Sequence, residues 1–320
     1  MQQKSILLGV VGDSAAGKTT ISSGIAKILG EDRVTILCTD DYHRYDRAQR
    51  KEMGISALDP ACNYMAVMEQ HLDLLRRGRP ILKPIYNHHT GGFDAPEYIE
   101  PAEFIIAEGL LGFHNRGLRR NFDVKVYLQP ETELRYAWKI ARDTKKRGYT
   151  EEQVRASLAK RVNDSKDFIE PQTDKADILV NFHRPEGEEN EVGKYLNARL
   201  FLRPTLPHPN LEEIADCGKD GDGVICTNVI RQGDWLTETL DISGTISAEK
   251  AAQVEKSIWN RLRERSPRLA DLQPDILGAY MEDGESYTSH PLGLTQLMIA
   301  YQLLLAREGL REELREISWK

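Results

Sequence analysis

Eight consecutive residues, Gly12-Asp13-Ser14-Ala15-Ala16-Gly17-Lys18-Thr19, complete the pattern G-x-x-x-x-G-K-[ST]. Each part of that pattern has phosphate chemistry. Glycines let the backbone wrap an anion with its N–H groups, and the helix that follows adds the positive end of its dipole. A lysine at Lys18 reaches the β and γ phosphates of a nucleotide, and a hydroxyl at Thr19 ligates Mg²⁺. The run Gly12, Asp13, Ser14, Ala15, Ala16, Gly17, Lys18, Thr19 and Thr20 is therefore expected to bind ATP, with Mg²⁺ beside it.

Four further segments carry chemistry. Phe104-Ile105-Ile106-Ala107-Glu108-Gly109 puts Glu108 at the end of an apolar run, where a nucleotide-using enzyme places a metal-orienting acid; Asp is the usual residue there, so Glu108 is a departure. Cys38-Thr39-Asp40-Asp41-Tyr42-His43, continuing through Arg47 to Lys51, offers two adjacent carboxylates. Either of them can take the proton of an attacking hydroxyl. His43, Arg47 and Lys51 suit a second, anionic substrate. Lys83-Pro84-Ile85-Tyr86-Asn87-His88-His89 sets Lys83, Tyr86 and His88 among prolines and glycines, as substrate hydrogen-bonding groups. The adjacent histidines do not read as a metal pair, because neighbours on an extended segment point to opposite faces. Arg142, Asp143, Arg147, Arg155 and Arg161 lie on two helical stretches joined by Gly148. Such an arginine-bearing flap suits a lid that excludes water and stabilises charge on a transferring phosphate.

These groups need a scaffold, and the hydrophobic pattern supplies one. Ile6 to Val11, Val34 to Cys38, Phe104 to Ala107, Val124 to Leu128 and Ile178 to Val180 are short continuous apolar runs, as strands buried on both faces read. Helical spacing fills Thr19–Leu29, Asn63–Arg77, Glu131–Lys146 and Thr150 to about Val162, the last opened by a Thr150/Gln153 capping box. Alternating strand and helix predicts an α/β fold with a mainly parallel, doubly wound sheet. After the polar segment 184–193 the pattern changes. Short strands at Leu200–Leu202, Gly223–Thr227 and Trp235–Ile242 precede helices at about 248–264 and 291–306. The expected division is a core over 1–195, with a helical lid at about 131–165, and a β/helical extension over 196–320 packed on it.

Composition narrows the function. With 43 Lys and Arg against 50 Asp and Glu, the 320-residue chain carries a net charge of −7. That argues against nucleic acid as a partner, since backbone binding needs a basic surface. No apolar run reaches the length of a membrane span, and the apolar start of the chain is too short for a signal segment. A soluble, cytoplasmic protein is expected. Cys38, Cys62, Cys217 and Cys226 form no C-x-x-C pair and are read as reduced thiols.

Taken in order, the phosphate-binding loop, TDDYHRYDRAQRKEMGISALDP, KPIYNHHTG, AEGL and ARDTKKRGY resemble the phosphoribulokinase branch of the phosphoribulokinase and uridine kinase family, over roughly residues 5 to 180. The DRAQRK segment favours a phosphorylated sugar over a nucleoside, because it supplies the basic residues a 5-phosphate needs. The resemblance implies a P-loop kinase fold, an ATP- and Mg²⁺-dependent enzyme, ribulose 5-phosphate as substrate, ribulose 1,5-bisphosphate for carbon fixation as product, and a homodimer. It implies Asp40 as the base, with Lys18, Arg142 and Arg147 completing the catalytic set. His43, Arg47, Lys51, Lys83, Tyr86, His88 and Arg161 would bind substrate, and Thr19 and Glu108 would organise the metal. Light-regulated relatives carry a cysteine where Ala16 stands, paired with one matching Cys38, so that disulfide switch is not available here. A kinase with another acceptor such as uridine, and a non-enzymatic ATP-binding regulator, are the competing readings.

Overall fold

A strand that is apolar without alternation must be covered on both faces. β5 (Phe104–Gly109) is buried at every position, and β1 (Ile6–Gly12) at all but its first. The computed structural model describes residues 4–210, 212–213, 215, 224–265, 277–282 and 284–308. Its contacts gather the chain into two units, one of residues 1–18, 32–128 and 135–176, the other of 19–31, 129–134 and 177–320.

In the first unit, β2 (Val34–Cys38), β5, β1 and β6 (Val124–Leu128) lie side by side in that order, all parallel. The core strands bury Leu7, Leu8, Val10, Leu37, Ile105, Ile106, Val124 and Val126. Phe113 and Phe122 meet edge to face against Gly9, where any side chain would collide with the Phe113 ring. The helix α3 (Met65–Arg76) is tied to the strands by Arg76, which forks onto both oxygens of Asp123 at 2.8 and 3.0 Å, and by Ser5 N–H donating to the Arg76 carbonyl. Asp123 also accepts the Leu7 amide, so one carboxylate joins helix, strand and the approach to β6.

Three elements of this unit differ from the expectation. Residues 81–99 form an antiparallel hairpin, β3 (Ile81–Asn87) and β4 (Gly92–Ile99). Arg47–Met53 is a helix, α2, opened by an Asp46/Gln49 capping box and closed by Gly54 at φ +66°. A one-turn helix, α4 (Arg116–Arg119), follows β5. The long helix α5 (Thr132–Arg147) ends at Gly148, φ +72°, and α6 (Glu151–Asp164) starts from the expected Thr150 cap before a π-helical turn over Ser165–Ile169.

The second unit holds the rest of α1 (Lys18–Leu29), whose Ile21, Ile25 and Ile28 are fully buried. It has its own antiparallel strands in the order β7 (Ile178–His183), β8 (Asn197–Leu202), β10 (Trp235–Ile242), β9 (Ile225–Gln232). A small hairpin pairs β11 (Ala279–Glu282) with β12 (Glu285–Thr288). α7 (Ala248–Arg265) and α8 (His290–Arg307) pack together, and α8 is buried from Pro291 through Leu305. Gln296 of α8 donates from its amide to the Thr20 carbonyl of α1, and it does so across Gly24, whose missing side chain leaves the room. Cys38 and Cys62 are free thiols, but Cys226 is disulfide-bonded, so the expectation of four reduced cysteines fails. Cys217, and Gly223 at the start of an expected strand, lie outside the described residues.

Candidate active site

Register decides what meets at the carboxyl ends of the parallel strands. Cys38 of β2 and Val10 of β1 both pair with Glu108. The phosphate-binding turn after Gly12 and the acidic turn after Cys38 therefore flank the end of β5, where Glu108 is 8% exposed. In open α/β sheets this is where ligands bind.

The turn itself is tightly specified. A side chain at Gly12 would come 2.6 Å from the Leu128 carbonyl oxygen. Ala15 and Gly17 take left-handed conformations, φ +65° and +89°, which turn successive amides toward one side, as an anion-binding loop requires. Lys18 Nζ donates to the carbonyls of Gly12 and Asp13, each at 3.0 Å, and so lies across the loop. Asp13 accepts from the Ser14 amide at 2.6 Å and the Ser165 hydroxyl at 2.9 Å, and ion-pairs with Arg135 at 3.0 Å.

α5 presents a row of cations to this loop. Arg135, Lys139 and Arg142 recur at helical spacing and share one face. Arg142 donates to Ser14 Oγ at 3.2 Å and to Asp143 at 2.8 Å; Lys139 and Arg147 reach the same Asp143 carboxylate at 2.7 and 3.5 Å. Burial alone would push the Asp143 carboxyl up, but hydrogen bonds from Arg142 and Lys139 outweigh it and hold it below its ordinary value. Burial pulls the Lys139 ammonium down to about 8. Arg161 lines a small cavity with Asp13, Ser14, Arg135, Lys139 and Ser165. Arg161, expected to bind substrate, thus has the phosphate-binding loop and α5 as its neighbours.

The two adjacent carboxylates part company. Asp41 is 7% exposed and has both oxygens engaged, one by Lys83 Nζ and the other by the Tyr86 amide at 2.9 Å. Among the described residues no hydrogen bond or ion pair reaches the Asp40 carboxylate. Its Oδ1 would lie 3.2 Å from a side-chain carbon placed on Gly109, so Asp40 stands directly over the end of β5. Its negative charge acts on His43, His88 and Arg147. Burial holds both histidines below their ordinary value against that charge. Burial followed by the charges of Asp40, Asp41 and Glu108 drives the Cys38 thiol far up, so it stays protonated and unreactive.

Around Asp40 the surroundings are aromatic and basic. His43 is 3% exposed, shares a 2.7 Å hydrogen bond with Asn63, and meets the Tyr86 ring edge-on at 4.8 Å. Tyr86 meets His88 at 5.0 Å, and its hydroxyl accepts from Arg50 at 2.6 Å. Arg47 is exposed and donates to the His88 carbonyl at 2.5 Å; Lys51 is exposed on the same helix. Lys83, expected to touch substrate, is instead 5% exposed and committed to Asp41. Arg50, Arg135, Lys139 and Asn63 were not among the expected residues. The spacing of Arg47/Arg50 and of Arg135/Lys139/Arg142 was the available signal for three of them.

Comparison with known proteins follows the same geometry. The family model described as phosphoribulokinase / uridine kinase matches residues 7–186. A phosphoribulokinase of Synechocystis sp. is 40% identical over 198 residues, 62% of this chain and 60% of that protein. A uridine kinase of Lactobacillus helveticus is 34% identical over 196 residues, 59% of this chain and 90% of that protein. The alignments thus span about 60% of the length of the phosphoribulokinases first matched. In fold, the chain is similar to a phosphoribulokinase from Rhodobacter spheroides, with a TM-score of 0.58 at 17% identity, covering 84% of this chain and 99% of that one. A phosphate-binding turn, a strand-end glutamate and an acidic turn walled by basic residues, within a family match over more than half of its residues, make this chain a member of the phosphoribulokinase / uridine kinase family.

Proposed function

We propose that the protein transfers the γ-phosphoryl group of ATP to the C1 hydroxyl of ribulose 5-phosphate, giving ribulose 1,5-bisphosphate. The observation that carries this is the division of labour in the acidic turn. Asp41 is consumed by Lys83 and Tyr86, while Asp40 stands over the end of β5 with its carboxylate uncommitted. Asp40 accepts the proton of the attacking hydroxyl. The acceptor's own phosphate falls to Arg47 and Lys51 of α2, with His43, Tyr86 and His88 along the sugar. The phosphorylated acceptor is also what the relatives' name, phosphoribulokinase, points to.

On the nucleotide side, the amides of residues 12–18 and Lys18 hold the β and γ phosphates, and the helix that continues through Thr19 and Thr20 directs its positive end there. The left-handed turn at Ala15 and Gly17 fits that task. Glu108, with the hydroxyl of Thr19 next to Lys18 in the chain, suits Mg²⁺, which is held by one or two protein oxygens and the phosphates themselves; when bound it neutralises and orients those phosphates. Arg142 and Arg147, with Asp143 fixing them, stabilise charge on the group in transfer, and Arg161 belongs to this side. We further propose residues 1–195 as the kinase core with its lid at about 131–165, residues 196–320 as its extension, a homodimer, and a cytoplasmic location. Among the described residues no helix is long and apolar enough to cross a membrane.

A uridine kinase reading has the Lactobacillus relative behind it. ADP release from ATP and Mg²⁺ with a panel of acceptors separates the readings. Turnover with ribulose 5-phosphate and none with uridine is the expected result. Turnover with uridine alone overturns the proposal, and turnover with no acceptor leaves an ATP-binding regulator.

A further inference from the structure

We propose that the buried Lys83–Asp41 pair is the fastening that holds the acceptor wall to the catalytic turn, with Lys83 a positioning residue that never touches substrate. The inference rests on the reading of Asp40 as the acceptor-side base.

The strand geometry is what makes the fastening. On a regular strand, residues 83 and 86 point to opposite faces, because the side-chain period is two. The β3–β4 register slips between Lys83 and Ile85, at Pro84, which has no amide to give to a ladder. The slip changes the phase. Ile81, Lys83 and Tyr86 are buried while Leu82 is exposed. Lys83 thereby delivers its ammonium to Asp41 Oδ2, and Tyr86 delivers its amide to Oδ1 at 2.9 Å.

Asp41 thus fixes β3 to the turn bearing Asp40 and His43 through two buried bonds, one from a side chain and one from the backbone. From Tyr86 the contacts spread to the His43 ring, the His88 ring and Arg50 of α2. Each of these lines the acceptor side. The pair is neutral as a whole, so it organises the pocket without adding to its field. Losing only the lysine leaves a buried carboxylate one residue from Asp40, without its counter-charge. That both loosens β3 and repels an anionic acceptor.

The test compares Lys83→Met, Lys83→Arg, Asp41→Asn and the double variant Lys83→Met/Asp41→Asn. Steady-state KM is measured for ATP and for the sugar phosphate, and amide hydrogen exchange of residues 81–88 is measured without substrate. For Lys83→Met the expected result is an acceptor KM raised about tenfold or more, an ATP KM within about twofold, and faster exchange at Tyr86. The double variant removes both charges yet keeps an acceptor for the Tyr86 amide, and it should return the acceptor KM to within about threefold of the parent. Lys83→Arg should fall between the parent and Lys83→Met. A double variant as poor as Lys83→Met would make Lys83 a substrate contact and overturn the proposal, as would unchanged exchange at Tyr86 in both Lys83→Met and Asp41→Asn. If Lys83→Met does not fold, the double variant decides alone by the same threefold criterion. If the parent protein fails to use any sugar phosphate, the functional reading falls, while the exchange measurement still decides the fastening.

Discussion

Two carboxylates separated by one peptide bond differ in everything but charge. Asp41 is spent on Lys83 and Tyr86; Asp40 is left over the strand end, its charge felt by His43, His88 and Arg147. Asp40→Asn should therefore lower turnover at least about a hundredfold, the usual size of a general-base contribution, while ATP binding, followed by calorimetry, stays intact. Near-parental turnover would move the base elsewhere. Arg50 makes a different demand. Its guanidinium donates to the Tyr45 carbonyl and the Tyr86 hydroxyl at once, each at 2.6 Å. An ammonium carries the same charge but not the planar fork. Arg50→Lys should raise the acceptor KM several-fold and leave the ATP KM alone, a split that steady-state kinetics reads directly.

At the scale of elements, α1 and α8 are fitted to one another. A methyl group at Gly24 would occupy the place of the Gln296 amide. Gly24→Ala should cost about 1–3 kcal/mol, the range for overpacking a core, seen as a lower urea midpoint. Gln296→Ala added to it should recover part of the loss. The same scale shows what could be read beforehand. Strands such as Ile6–Val11 and helices such as Thr19–Leu29 were legible because burial on two faces or one writes a period into the residues. The hairpin β3–β4 was not, because the slip at Pro84 breaks its alternation and its outward face carries Leu82, Phe93 and Tyr98, all exposed. α2 was hidden as well: with no buried residue it has no apolar face to betray it. In the site, residue types chosen for their chemistry picked out the loop after Gly12, Glu108 and the Asp40-Asp41 turn, whose strands β1, β5 and β2 lie side by side. What spacing alone did not reveal was that Lys83 would be turned inward onto Asp41.

The molecule as a whole answers to pH through its histidines. Burial depresses His43, His71, His88, His114 and His183 below 6.5. As pH falls through 6.5, the unfolded chain takes up protons that the folded chain refuses, so stability declines with falling pH and is fully present above 6.5. His43, being 3% exposed, should weigh most. Urea midpoints should drop between pH 7.5 and 5.5, and His43→Gln should flatten that slope. An unchanged midpoint would mean that these rings protonate in the folded state.

The bond between Gln296 and the Thr20 carbonyl joins positions 276 residues apart. A chain made at roughly 5–20 residues per second needs about 14–55 s to produce the second partner after the first. Throughout that interval α1 exists without Gln296, and the space at Gly24 lacks the amide that fills it in the folded protein. The helix behind the phosphate-binding lysine is thus complete only once α8 has been made, and a nascent chain that has reached α1 but not α8 leaves the Gly24 face of α1 without its cover.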